Sequence, residues 1–328
     1  MHAYQRDWQG AYHPRDGRNL GIFSLRADSS VQLSGWRVAI FQRQEALIDS
    51  SRETTDLYHL YQSRSVASAG QTYVLDANYQ AFTAVGLRVD KAWLWNSTVG
   101  NEVIFGIGYS LLQGQRVQTE SAKGLVTSLG AGKYGYALNL SDSATRKTYP
   151  YQTAGQPEGQ GESWDLGISF NKGNGLHLTL LANDILANIR WHDIPSTLTN
   201  ANTGVTSTDA NGYIVYAAAL SGRNFRSNFT QPLPVRYAAS ATLPWRDFSV
   251  FGSLTRQQGF NFPLAGATWA YAKNGCLQAD YDVRFGSTGL KWTGAIAYIA
   301  LRASQWNLSE ARAYGISAGL HWDFGQQF

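Results

Sequence analysis

From residue 313 to the end the chain reads AYGISAGLHWDFGQQF, and its larger apolar side chains fall on every second position. Tyr314, Ile316, Ala318, Leu320, Trp322 and Phe324 alternate with Ala313, Gly315, Ser317, Gly319, His321 and Asp323. A period of two sends successive side chains to opposite faces of an extended strand, whereas a helix would repeat its apolar residues at three and four. The segment is therefore a strand with one dry face, which grows aromatic towards its end, and one face that is small or polar. What covers the dry face decides what the molecule is.

The same pattern recurs along the chain. Leu277, Ala279, Tyr281, Val283 and Phe285 oppose Gln278, Asp280, Asp282 and Arg284, and Trp164, Leu166, Ile168 and Phe170 oppose Asp165, Gly167, Ser169 and Asn171. Residues 134–141 and 73–79 repeat it, and weaker alternation runs through 36–43, 103–111, 235–245, 248–255 and 290–300. No long amphipathic helix and no repeat of fixed period is visible, so the fold class is all-β. Short links read at 97–101, 130–133, 172–175, 221–223, 245–247 and 286–289, and longer ones at 142–163, 192–212, 256–275 and 303–311. Short and long connections in alternation predict an up-and-down antiparallel sheet with its tight turns on one side.

Two ways of covering the dry face compete. In a sandwich, two such faces pack on each other and the outer surfaces are solvated. In a membrane barrel the dry face meets lipid, aromatic residues gather at both interfaces, and small and polar residues line the lumen. Charged residues make up only 15% of the chain and aromatic ones 13%, with 33 glycines. Mean hydropathy is nevertheless −0.28. The longest apolar run is IVYAAAL at 214–220, far short of the roughly 18 residues of a membrane helix. Low charge, many aromatics, abundant glycine and asymmetric links all favour the barrel.

The final strand resembles that of Gram-negative outer-membrane β-barrels, which end on an amphipathic strand with alternating aromatics and a terminal Phe. Tyr314, Ile316, Leu320, Trp322, Phe324 and Phe328 carry the resemblance, and Gln326 interrupts the series. It implies a last lipid-facing strand read by the barrel-assembly machinery, outer-membrane lipids as surroundings, and an outer-membrane location. The expected fold is a single up-and-down transmembrane barrel over 19–328, of about 16 strands within a range of 14–18, with short periplasmic turns and longer extracellular loops. Residues 1–18 read as a polar tail or small plug. They hold no apolar signal core, and Met1 is the only methionine, as in a mature exported chain with its signal removed.

By parity, Arg37, Asp76, Arg236, Asp280, Asp282, Arg284, His321 and Asp323 point into the lumen, as do Arg43, Asp165, His177 and Lys291. Two roles stand open for them: a charged eyelet that selects ions, or mutual pairing that stiffens the wall. Phe260, Phe262, Trp269 and Tyr271 make 256–275 too apolar for a solvated loop, which suits a constriction or a protein-partner contact. In 183–195 the alternation fails; Ile185, Leu186 and Ile189 suit a short helix or a bulged strand, and Trp191 an interface. His192-Asp193 reads as a rim where a strand meets a loop.

No nucleophile, base and orienter sit in a motif of the known outer-membrane enzymes, so no catalytic residue is expected. The six histidines are dispersed, a lone Cys276 makes neither a disulfide nor a thiolate cluster, and no metal or cofactor is expected. Basic residues are scattered despite the net charge of +4, which argues against nucleic acid. The leading expectation is a porin-like channel for small hydrophilic solutes. The alternative is the barrel subunit of an export, secretion or surface-assembly complex that works with protein partners.

Overall fold

The computed structural model describes residues 14, 16–96, 101–149, 156–173, 175–204, 206–208, 214–216, 219–272, 275–305, 311 and 313–320. The first strands are β1 (Arg18–Leu33), β2 (Trp36–Ser51), β3 (Thr72–Asn96), β4 (Glu102–Gly130), β5 (Lys133–Ala144), β6 (Glu158–Asn171) and β7 (His177–Asn202). Then come β8 (Thr206–Thr208), β9 (Ile214–Tyr216), β10 (Leu220–Pro232), β11 (Arg236–Trp245), β12 (Phe248–Gln257) and β13 (Phe260–Ala272). The last are β14 (Gly275–Asp282), β15 (Ser287–Thr293), β16 (Ala297–Ala303) and β17 (Tyr314–Leu320). One helix, α1 (Arg52–Gln62), follows β2.

Fifteen strands form one antiparallel sheet, and β8 pairs with β9 as a separate hairpin. Neighbours in sequence pair as hairpins from β1 to β5 and again from β11 to β17. Two ranks of the sheet are shared. The 29-residue β4 holds β6 along its first half and β5 along its second, so those two strands lie end to end. β7 in turn holds β11 and then β10, which are divided by Leu233 and Pro234 just after Pro232. Proline has no amide hydrogen to donate, which interrupts the ladder there. Thirteen positions along the strand order result, with β1 and β17 at its two ends among the described residues.

At one end of the sheet, the near end, all links are short: 34–35, 97–101, 172–176, 246–247, 273–274 and 294–296. The far end holds α1, the 203–219 segment with its hairpin, and the 304–313 link, together with tight turns at 131–132, 258–259 and 283–286. The turns at 131–132 and near 286 thus lie opposite the one at 246–247, not beside it as the link pattern suggests. For 131–132 the cause is that β4 runs unbroken from Glu102 to Gly130; for the turn near 286 it is the Gln258-Gly259 turn, both of whose residues have positive φ, the demand of a two-residue hairpin turn that suits twisted strands. It converts the expected loop 256–275 into the end of β12, a hairpin turn and β13, so Phe260, Phe262, Trp269 and Tyr271 are strand residues. Likewise 221–223 lies inside β10, and β7 continues through His192-Asp193 to Asn202.

The sheet curls. Arg43 on β2 meets Asp184 on β7, although β3, β4 and β6 separate those strands. Four inter-strand steps of about 4.8 Å would hold the two roughly 19 Å apart on a flat sheet. The curl gives an inner and an outer face, and the inner face over β2–β7 carries the apolar cluster of Phe41, Phe82, Leu112, Val117, Ile189, Trp191 and Ile194. The segment 183–195 is a bulged strand, with positive φ at Asp184, Leu186 and Asp193. Its first two bulges bring Asp184 inward out of phase and leave Trp191 on the inward parity of Thr179 and Asn183, where it is buried and not at an interface.

Helix α1 gave no signal to the alternation reading. Its start is marked by Ser51, whose side chain accepts from the Thr54 amide at 3.2 Å. Glu53 and Thr54 then bind the amides of Val74 and Asp76, so α1 continues along β3 where β2 stops.

Candidate functional site on the inner face

Charged side chains on the inner face are joined by ion pairs that cross several strands. Arg43 holds Asp184 through both guanidinium nitrogens at 2.7 Å and Glu45 at 2.8 Å, with Ser163 donating to Asp184 at 3.0 Å. The Asp184 amide donates to Asp165 at 2.7 Å, and Asp165 also pairs with Arg88, which holds Asp90 at 2.6 Å. Four ranks (β2, β3, β6 and β7) are thereby tied together by one largely buried network in which four carboxylates share two guanidiniums. Arg43 also lies 5.5 Å over the Phe82 ring and Arg26 lies 4.9 Å over Phe41, so the network borders the apolar cluster.

Glycine makes the crossings possible. In the ladder Asp90–Gly108–Asp165, a β-carbon at Gly108 would collide with Arg88 and Asp90. In the ladder Asp280–Gly289–Arg302, a β-carbon at Gly289 would collide with both partners of the Asp280–Arg302 pair. Trp191 repeats the device without charge: its ring covers Gly159 beside it and Gly114 one strand further, and its Nε1 donates to Gln231 at 2.9 Å.

Of the lumen residues expected from the sequence, Asp280 is buried on the inner face, accepting from Gln278 at 3.0 Å as well as from Arg302. Arg37 pairs with Asp28 at 3.0 Å and reaches Asp90 at 4.0 Å. Asp76 shares Arg18 with Asp49. Arg236 donates to Gln257 at 3.3 Å. Asp282 instead caps its turn, accepting from the amides of Arg284 at 2.8 Å and Phe285 at 3.1 Å. Arg284 lies past the end of β14, 4.7 Å over Phe260 and 5.3 Å over Phe262. At the near end His177 bonds Asn171 and Thr179, and Lys291 lies 5.2 Å over Tyr298. His321, Asp323, Trp322, Phe324 and Phe328 lie outside the described residues, while Tyr314, Ile316 and Leu320 are exposed on β17.

Sequence reasoning missed Arg88, Asp90, Asp184 and Arg302. Arg88 and Asp90 share parity with Asp76 on β3, a signal that was legible. Asp184 carried none, because it sits in a bulge.

Across β11–β17 the inner face changes character. Ser240, Thr242, Ser253, Thr255, Gly266, Thr268, Gly289 and Ser317 line it, with Gln257, Gln278, Asp280, Lys291 and Arg302 among them. Phe251, Phe262, Leu264 and Tyr298 share that face, so the cross-section is apolar and filled on the β2–β7 side and mixed, with small and polar residues in the majority, on the other. At the far end, Asp16, Arg18 and Asp49 share a cleft of about 430 Å³ with Gln258, Gly259, Phe260 and Arg284, which joins the first strands to the β12–β15 turns. Among the described residues no group of His, Cys, Asp and Glu is arranged to hold a metal ion.

The outer face is the reverse of a solvated surface. Exposed large apolar side chains outnumber buried ones and follow the strand parity, as with Val38 and Ile40, Leu243, Val250, Leu254, Leu290 and Ile299. At the near end they become aromatic: Trp36, Trp93, Trp95, Trp245, Phe248, Trp269, Tyr271 and Trp292 are all exposed. Neighbours in this row stack, Trp93 on Phe105 at 5.9 Å and Phe248 on Trp269 at 6.5 Å, and Trp292 donates to the Tyr271 hydroxyl at 2.7 Å. Tyr237, Tyr281 and Tyr314 stand exposed towards the far end. Among the described residues no helix is long and apolar enough to cross a membrane, which does not bear on crossing by strands.

No protein-family model, curated protein or solved structure matches the chain.

Proposed function

We propose that the chain is a transmembrane β-barrel of the bacterial outer membrane that passes small hydrophilic solutes through a narrow lumen. The observation that carries this reading is the exposed apolar outer face between two aromatic rows. On β11 the rows are marked by Tyr237 and Trp245, eight residues apart. That is about 27 Å along the strand, or roughly 20 Å of height at a tilt near 40°, close to the apolar band of such barrels. In water the same face would be an extended aggregation surface. Closing the curled sheet would remove the open edges at β1 and β17; the thirteen positions among the described residues fall one below the 14–18 expected, and β1 and β17 run the same way, so a direct seam between them would be parallel. The near end, with its uniformly short links, faces the periplasm in this reading.

The solute path follows the inner face of β11–β17, where small and polar residues are in the majority, past Asp280, Gln278 and Lys291. The apolar cluster and the Arg43 network occupy the opposite side, so the pore is narrow. The charges are mostly paired, which favours a stiff wall with a modest ion preference over a strong charged eyelet. A second reading, a barrel that opens only with protein partners in an export or assembly complex, is favoured by the same filled side.

Planar-bilayer recording tests the proposal. Small, steady single-channel steps are expected, with ion preference shifted towards anions in Asp280→Asn. An electrically silent protein correctly inserted in the bilayer would overturn the solute-passage reading and leave the partner-dependent one.

A further inference from the structure

The outer face carries one formed groove, of about 640 Å³, crossing β4, β6, β7, β11, β12 and the start of β13. Two ladders line it. In the first, Phe105, Ile168, Leu180, Ala239 and Leu254 stand in register; in the second, Leu166, Ala182, Tyr237, Arg256 and Asn261 do. Ala182 and Ala239, diagonal to each other, form the floor, while the larger side chains form the walls. The groove is apolar except at one end, where the exposed Arg256 meets Asn261.

Its direction is fixed by the register. Arg256 is two residues from the far-end turn, whereas Leu166 lies mid-strand on β6 and Phe105 is three residues from the near-end start of β4. A ladder followed from β12 to β4 therefore leaves the far-end rim and runs into the apolar band. Four inter-strand steps span about 19 Å, and crossing strands tilted by ~40° this descends roughly 12 Å, within one leaflet of a bilayer's hydrocarbon core.

We propose that this groove binds one acyl chain of an anionic membrane lipid, with Arg256 and Asn261 holding the headgroup phosphate at the far-end rim. This rests on the membrane reading above. At the rim a lipid-facing guanidinium costs only ~0–1 kcal/mol, stands at headgroup level, and presents paired donors that fit phosphate. The depth of the groove fits within one leaflet, so the ligand comes from the bilayer itself and not from a soluble anion.

The test uses the intact protein in nanodiscs of mixed phosphatidylglycerol and phosphatidylcholine, with retained lipid read by native mass spectrometry after gentle release. One tightly held phosphatidylglycerol is expected. Arg256→Gln should lower its preference over phosphatidylcholine about fivefold, the worth of one cationic side chain at an anionic surface, and Ala239→Trp, which fills the floor, should abolish retention of either lipid. Retention unchanged in both variants, equal retention of both lipids by the wild type, or a second copy of the chain covering the groove would overturn the proposal. Flotation with lipid vesicles separates the two readings: a protein that does not float refutes the membrane reading, and one that floats without a selected lipid refutes the groove alone.

Discussion

Trp191 and the two glycines under it give the sharpest test of how the inner face is built. The indole is 1% exposed, lies over Gly159 and Gly114, and donates to the buried Gln231. Replacing a buried Trp by Ala costs about 3–5 kcal/mol through lost burial and the cavity left behind, and the Gln231 oxygen then loses its donor. Trp191→Phe keeps the cover and loses only that bond, so it should cost nearer 1–3 kcal/mol. Gly159→Ala places a methyl inside contact distance of the ring and should cost about 1–3 kcal/mol by overpacking. The decisive prediction is the coupling. With Trp191 already changed to Ala, the methyl enters the vacated space, and Gly159→Ala should become neutral or stabilising. Denaturant unfolding of the refolded protein in detergent, followed by far-ultraviolet circular dichroism, measures all four corners of the cycle. An equal cost of Gly159→Ala in both backgrounds would refute the ring-over-glycine account. In bilayers Trp191→Ala should also raise the single-channel conductance, since the ring stands on the filled side of the lumen.

Four further outcomes are expected. Arg43→Met leaves Asp184 buried without its partner and should cost about 3–5 kcal/mol, while Arg43→Met with Asp184→Leu should recover most of that loss, both read by the same unfolding assay. Gly289→Val should separate Arg302 from Asp280 and, in bilayer recordings, change the ion selectivity as the two charges take up separate places on the inner face; an unchanged reversal potential would count against the spanning pair. Gln258→Asn should stabilise the far-end hairpin by a few tenths of a kcal/mol, because Asn tolerates positive φ better than Gln before glycine, and Gly259→Val should destabilise it. Trp245→Ala with Trp269→Ala should weaken insertion into vesicles while leaving the Arg43 network intact, which separates the outer row from the inner face.

How much of this was legible before the structure depends on sequence distance. Parity within a strand is local, so the exposed outer set Leu277, Tyr281 and Val283 and the inward Asp280 could be read from nine consecutive residues. Tight turns with positive φ were legible where glycine stood in a polar setting, as at Ala131-Gly132. Gln258-Gly259 was hidden because Phe260 and Phe262 follow it at once, and the run of aromatics reads as an apolar loop. That single omission removed a hairpin and put later turns at the wrong end. The ion pairs were not legible at all: Arg43 and Asp184 are 141 residues apart, and Arg88 and Asp165 are 77 apart.

The bulges on β7 show why the two kinds of information differ in principle. Alternation assumes that every residue advances the pleat by one face, and a residue with positive φ breaks that count. The paired breaks at Asp184 and Leu186 bring Asp184 inward and then restore the phase, so Ala187, Ile189 and Trp191 face inward on the same odd positions as Thr179 and Asn183, and the break at Asp193 shifts the count so that Ile194 and Ser196 follow inward. The same breaks bring the Asp184 carboxylate to Arg43 and its amide to Asp165. The segment where periodicity fails is thus the segment that fills the interior. In a chain whose outer face is set by a period of two, the departures from that period are where the filling of the interior is decided.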